Sequence, residues 1–298
     1  MPVYVFTATY YMDSSSFGLG VIALALLLKG FSTDKHTSVF WVILASFVKV
    51  IGITEKMTAI IPVLAGGCTA ILFQKKLPVK KGVAYCIGVF CAMLLVNIWA
   101  GQYPIDRESR EQSNPIFTWI AMGMHGDGSY SDNVVYAEKL TQLTTRDEKS
   151  AYAKQYAKEH FSEAFTWSHI LAKIKRSFGS GTFECANFLT RAADGHGLLW
   201  EMLHPWGKYY WRTSQYCFIY IAMIYGIVLI GSICTLVRLL QGSAVSAIKF
   251  AADLSFMGIF LFLLLWESSN RQLYNQFPML LISLVESTAL IMSRRRGR

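Results

Sequence analysis

Lys and Arg crowd into every second connection between the apolar runs of this chain and thin out in the others, and that alternation constrains the fold more than any motif does. A chain that sorts basic charge in this way reads as one that crosses a membrane repeatedly, because basic loops stay on the cytoplasmic side. Composition agrees. Hydrophobic residues make up 53% of 298, mean hydropathy is +0.36, and charged residues reach only 16%, against about a quarter in soluble domains.

Spanning roughly 30 Å of hydrocarbon takes about 20 apolar residues in a helix. Uncharged windows of that size occur at 57–74, 82–105 and 213–237. Shorter or interrupted candidates lie at 14–28, 37–53, 248–266 and 273–292, the interruptions being Lys49, Lys249, Asp253 and Glu286. The expected fold is therefore an all-α membrane protein with about seven transmembrane helices and one mainly helical extracytoplasmic domain between the fourth and fifth. Its divisions are 1–101, 102–212 and 213–298. If the loop with Lys75, Lys76, Lys80 and Lys81 is cytoplasmic, then Lys29, Lys35, Arg238 and the tail Arg294, Arg295, Arg296 and Arg298 share its side. The region 102–212 holds thirteen basic and thirteen acidic residues, so the net charge of +9 belongs to the membrane part. The basic balance is a topology signal, and no nucleic acid is expected as a partner. Membrane lipid is.

An odd number of spans with a cytoplasmic C-terminus puts Met1 outside, yet the chain opens on VYVFTATYY without a basic leader. The expectation is a C-terminal part of a longer membrane protein. Five cysteines fall in the apolar runs and Cys185 alone in 102–212, so no disulfide closes within that region.

In 102–212, Thr145-Arg-Asp-Glu148 has capping-box spacing and predicts a polar helix to about His160. Ser162 is expected to cap a second helix, with Phe165, Ile170, Leu171 and Ile174 at near-helical spacing and a stop at Gly179-Ser-Gly181. Two glycine-rich pieces, Gly123–Gly128 and Phe178–Phe183, read as turns, with a phosphate-holding backbone as the alternative. His125 and Asp127 in the first are candidate loop contacts, and a divalent cation is compatible with them, although two ligands make a sparse set. His196 and His204 read as loop residues. Trp206, Tyr209, Tyr210 and Trp211 form a band suited to the headgroup zone; Trp206 and Trp211 could also dock a lipid carrier.

Charges at outer span ends are costly unless paired or used. Asp13 opens a span beside Ser14–Ser16, Lys56 sits at an external turn beside Glu55, and Arg271 lies in ESSNRQLYNQFP. A helix cap, a surface ion pair with Glu55 and a pair with Glu267 are the plain alternatives.

Their order resembles the membrane glycosyltransferases of the GT-C fold that use polyprenyl-phosphate sugars, the protein O-mannosyltransferase and aminoarabinose transferase branches in particular. Asp13 in MDSSSF is similar to the acidic residue of a D-x-P-L-x-x-F pattern, Lys56 in EKMTAIIP to a K-G-P-x-x-x-x-P lysine, and Arg271 in NRQLYNQFP to an R-Y-L-x-P arginine. The proline after Asp13 and the Gly-Pro after Lys56 are missing here. PIFTWIAMGMHGDGSYSDNVVY resembles external-loop sequence of the Gram-positive branch. The resemblance implies a bacterial cell-membrane enzyme that moves a hexosyl or pentosyl group from a polyprenyl-phosphate sugar donor to a glycan, lipid or protein acceptor. It also implies phosphate binding by Lys56 and Arg271 and a second acidic group at Asp13. The family's first-loop catalytic acid has no counterpart upstream of Asp13, so transfer is expected only when the missing N-terminal part is supplied. A transporter or lipid flippase, motivated by Lys49, Lys249, Asp253 and Glu286, and a noncatalytic scaffold are the competing expectations.

Overall fold

The computed structural model describes residues 12–32, 37–73, 79–102, 107–182 and 197–296, and all regular structure among them is helical. Each apolar run has become a helix because backbone N–H and C=O groups that cannot reach water must bond within the segment. In chain order these are α1 (Met12–Ser32), α2 (Thr37–Glu55), α3 (Ile60–Phe73, entered through a 3₁₀ turn Met57–Ala59) and α4 (Val79–Gly101). Short helices α5 (Arg107–Gln112), α6 (Phe117–Met122), α7 (Val134–Gln142), α8 (Arg146–His160), α9 (Trp167–Phe178) and α10 (Leu198–Leu203) follow. The long α11 (Tyr210–Leu240), α12 (Ala247–Leu265), a 3₁₀ segment Asn270–Gln276 and α13 (Phe277–Arg296) complete the chain.

Among the described residues four helices, α2, α4, α11 and α12, are long and apolar enough to cross a membrane. Gly18–Ser32, Met57–Phe73 and Phe277–Met292 are shorter apolar stretches. Their outward surfaces are apolar too, with Phe90, Trp99, Leu229 and Leu236 more than half exposed, as expected where lipid is the solvent.

The chain forms two compact units. The first comprises 1–98, 181–259 and 272–298, the second 99–180 with 260–271. In the first, α1 packs on α2 and α3, around Ala23, Leu27, Ala45 and Val63, and α11 packs on α13. Lipid gives apolar helices little reason to associate, so close contact between small residues has to supply the attraction. Gly88 sits against Ser46, whose Oγ donates to Tyr85 O across the helix pair at 3.2 Å. Gly231 lies so near Ser287 that an added Cβ would fall 2.9 Å from the Ser287 Cα. Replacing Gly231 by Val is therefore expected to cost about 1–3 kcal/mol by overpacking. Gly226→Val on the same helix, with nothing within 4 Å of its Cβ position, should unfold at the wild-type temperature. Thermal unfolding in detergent, followed by helical circular dichroism, checks the pair.

Candidate functional site

Histidines and carboxylates gather in the second unit, where α8 is the organising element. Its polar sequence starts as the capping box predicts: Thr145 Oγ1 accepts from Glu148 N–H at 3.3 Å and Glu148 Oε2 accepts from Thr145 N–H at 3.1 Å. One side is nonetheless buried. Ala153 and Ala157 pack with Ala121, Met122, Tyr136 and Leu140, and the Tyr152 and Tyr156 rings lie against Tyr136. The helix ends at His160, and a 3₁₀ turn Glu163–Phe165 reverses the chain.

That turn corrects one expectation. Ser162 makes no side-chain cap; the second helix begins at Trp167, capped by Thr166 Oγ1, which accepts from His169 N–H at 3.3 Å. Glu163 thereby becomes free for a different task. Its Oε2 accepts from His125 Nδ1 at 2.8 Å and from His160 Nδ1 at 3.0 Å, while Oε1 accepts from Gly126 N–H at 2.9 Å. A carboxylate can only accept, so both imidazoles carry their protons on Nδ1. Partial burial works to raise the Glu163 pKa, but the bonds from His125, the Gly126 N–H and His160 outweigh it and hold the carboxyl at about 2. The two rings are 4.1 Å apart, and Tyr156 walls both. Among the described residues, His125, His160 and Glu163 offer three ligand atoms within 4.8 Å of one another.

Asp127, the partner expected for His125, faces elsewhere. Its Oδ1 accepts from Ser129 N–H at 2.8 Å and Oδ2 lies 4.0 Å from Arg176 Nε. The glycine-rich loop is a packed turn. Gly126 and Gly128 take φ of +61° and +74°, and a Cβ on Gly123 would lie 2.5 Å from Trp266 O. Against this loop stands Lys173, 1% exposed, with Nζ donating to Gly123 O and Trp266 O, both at 2.7 Å. Burial drives its pKa down to about 8, against the pull of Asp127. His169 is also buried, with Nδ1 2.8 Å from Gly126 O and Nε2 3.1 Å from Gly123 O, and burial and then Lys173 lower its pKa.

The remaining expected site residues are distributed as follows. Asp13 is in the first turn of α1, its side chain outside the described residues, as are Cys185 and His196 entirely. Lys56 is the extended residue, φ −156°, between α2 and the 3₁₀ turn, with its N–H bonded to Gly52 O at 2.9 Å. Nearby Gln276 Nε2 donates to Thr58 O at 3.3 Å, and Gln276 Oε1 accepts from Ser255 Oγ at 2.7 Å. Arg271 belongs to the second unit, and its Nη2 is 4.0 Å from Glu267 Oε1. Trp206 and Trp211 are 77% and 70% exposed, and His204 is buried with its ring stacked on Trp200.

Within the apolar helices Lys249 and Asp253 neutralise each other. Lys249 Nζ is 2.6 Å from both Asp253 carboxylate oxygens and 3.1 Å from Ser283 Oγ, which itself donates to Asp253 Oδ1 at 2.5 Å. Lys49 Nζ lies 5.0 Å from the Tyr85 ring centroid, and Lys29 Nζ 3.7 Å from that of Trp41. A cavity of about 210 Å³ beside Lys249 is lined by Arg238, Ser246 and Glu286.

Helices of this length and apolarity define an all-α integral membrane protein. Residues 3–290 match the model of a family described as conserved hypothetical integral membrane protein, and the chain belongs to that family. No curated protein and no solved structure matches the chain.

Proposed function

We propose that the chain is a seven-span membrane glycosyltransferase of GT-C type, taking sugar from a polyprenyl-phosphate donor and passing it to a cell-envelope acceptor on the outer face. The helix order supports this topology. Threading the four long and three shorter apolar helices alternately through a bilayer brings Asp13 and Lys56 to one side. Lys29, Lys80, Lys81 and Arg238 come to the other, which is then cytoplasmic together with the C-terminus.

The observation that carries the reading is the Gln276–Thr58 hydrogen bond. Within the first unit it ties the turn that follows Lys56 to Gln276, at the end of the stretch that resembles the family's arginine motif. In sugar transfer from a lipid phosphate, the acceptor hydroxyl loses its proton to an acidic group and its oxygen bonds the anomeric carbon. The bond from that carbon to phosphate breaks, and lipid phosphate departs with the negative charge. Fixed cations are the direct way to stabilise that charge. Lys56 and Arg271 are assigned this role, and Asp13 that of the second acidic group, which orients donor or acceptor.

For the flippase reading, Lys249 and Asp253 are closed on each other and on Ser283, and Lys49 and Glu286 remain as its motive. The test is transfer from a radiolabelled polyprenyl-phosphate sugar by the full-length protein in proteoliposomes. Arg271→Ala is expected to abolish transfer while inserting normally; wild-type turnover in that variant would sink the assignment.

A further inference from the structure

We propose that the second unit binds one divalent transition-metal ion, Zn²⁺ by the chemistry of its ligands, through His125 Nδ1, His160 Nδ1 and Glu163 Oε2. This is independent of the sugar-transfer reading and rests on four features of the cluster.

The three groups come from three separate stretches of chain: the glycine-rich loop, the end of α8 and the 3₁₀ turn. All present ligand atoms to one focus, within 4.8 Å of one another. Both imidazoles address the same carboxylate oxygen, at 2.8 and 3.0 Å. Hydrogen bonding alone gives no reason for this crowding, since these rings are 36% and 25% exposed and have water available. An ion at the focus does. In a tetrahedral site with bonds of about 2.1 Å, neighbouring ligand atoms sit roughly 3.4 Å apart, so the two nitrogen–oxygen separations need to open by about half an ångström, while the two nitrogens lie within 4.8 Å of each other. As the ion enters, each neutral ring gives up its Nδ1 proton and takes one on Nε2, so both ligands remain neutral imidazoles.

The donor set selects the metal. Two imidazole nitrogens with one carboxylate suit Zn²⁺ and its first-row neighbours, whereas Mg²⁺ and Ca²⁺ require oxygen shells.

The cluster also has an outer shell. Glu163 Oε1 is held by the N–H of Gly126, the residue that follows His125, which fixes the carboxylate relative to that ring and leaves Oε2 for the ion. Such partners usually orient metal ligands. Gly126 is itself committed to its backbone, with φ +61° and a Cβ position 2.8 Å from Asp132 Oδ2.

Finally, all three ligands are partly exposed, Glu163 at 35%. Three protein ligands leave the fourth position to water or an exchangeable anionic oxygen, the pattern of an open site.

The experiment uses the full chain purified in detergent, equilibrated with Zn²⁺, stripped of excess ion and assayed for bound metal. One equivalent is expected in wild type and in His204→Ala, and its loss in His160→Ala and in Glu163→Gln. A second measurement needs no variant. Co²⁺ added to the wild type should give the visible ligand-field bands of a tetrahedral site, reversed by equimolar Zn²⁺ and unaffected by excess Mg²⁺. Absence of stoichiometric Zn²⁺, retention in both ligand variants, or displacement of Co²⁺ by Mg²⁺ would each overturn the assignment.

Discussion

Asp253→Asn is expected to cost about 3–5 kcal/mol of stability, because it leaves the Lys249 ammonium in an apolar helix bundle without its counter-charge. Lys249 is 3% exposed by side chain, and both oxygens of Asp253 lie 2.6 Å from Nζ. Removing both partners is a different experiment. Lys249→Met with Asp253→Leu exchanges a buried ion pair for apolar volume, which is commonly neutral or stabilising. Ser232 in that variant keeps its bond to Val228 O at 2.8 Å. The double variant should therefore unfold within about 1 kcal/mol of wild type. Unfolding in detergent checks all three proteins, and a wild-type midpoint for Asp253→Asn would contradict the account. The same series bears on transport, since a proton or ion relay predicts lost flux in the folded double variant.

Lys173→Met should destabilise the second unit by about 3 kcal/mol, because two charge-assisted hydrogen bonds vanish and Trp266 O loses its donor. The wild type should also carry a pH signature that the variant lacks. Burial lowers the Lys173 pKa from 10.5 to about 8, so below pH 8 the charged amine is present in both states and its burial opposes folding. As pH rises through 8, the folded state releases the proton first and the unfolded state holds more protons. Stability then rises with pH. The gain by pH 10 is about 2 kcal/mol at 1.36 kcal/mol per unit. Above pH 10 the slope reverses, since burial raises the Tyr136 and Tyr156 phenols, the latter to about 12, and the unfolded state ionises first. A flat wild-type profile between pH 8 and 10, or the same rise in Lys173→Met, would contradict this.

What could be read from sequence was local. Thr145 and Glu148 sit three apart in one helix turn, and Lys249 and Asp253 four apart on one face, so spacing was enough to pair them. Ser283, thirty residues beyond Asp253, was invisible to that rule. The cap expected at Ser162 falls instead at Thr166 for the same reason. Local propensity allows Ser162 to start a helix, but Glu163 is held by His125 and Gly126, 38 and 37 residues earlier, and the helix waits for Thr166. Sequence proximity alone pairs His125 with Asp127. His160 and Glu163, three apart across a helix end, were the available signal for a ligand pair, and their meeting with His125 depends on α8 packing against Tyr136 and Met122. The glycines of Gly123–Gly128 were legible as turns, though the reason, close approach to Trp266 and Lys173, lies in tertiary packing.

Proteoliposomes containing the full-length protein, loaded with a radiolabelled polyprenyl-phosphate sugar and presented with cell-envelope acceptors, test the central claim most directly. The account predicts label in an acceptor together with stoichiometric release of polyprenyl phosphate. Movement of intact donor or of ions across the bilayer, with no label transferred, would contradict it.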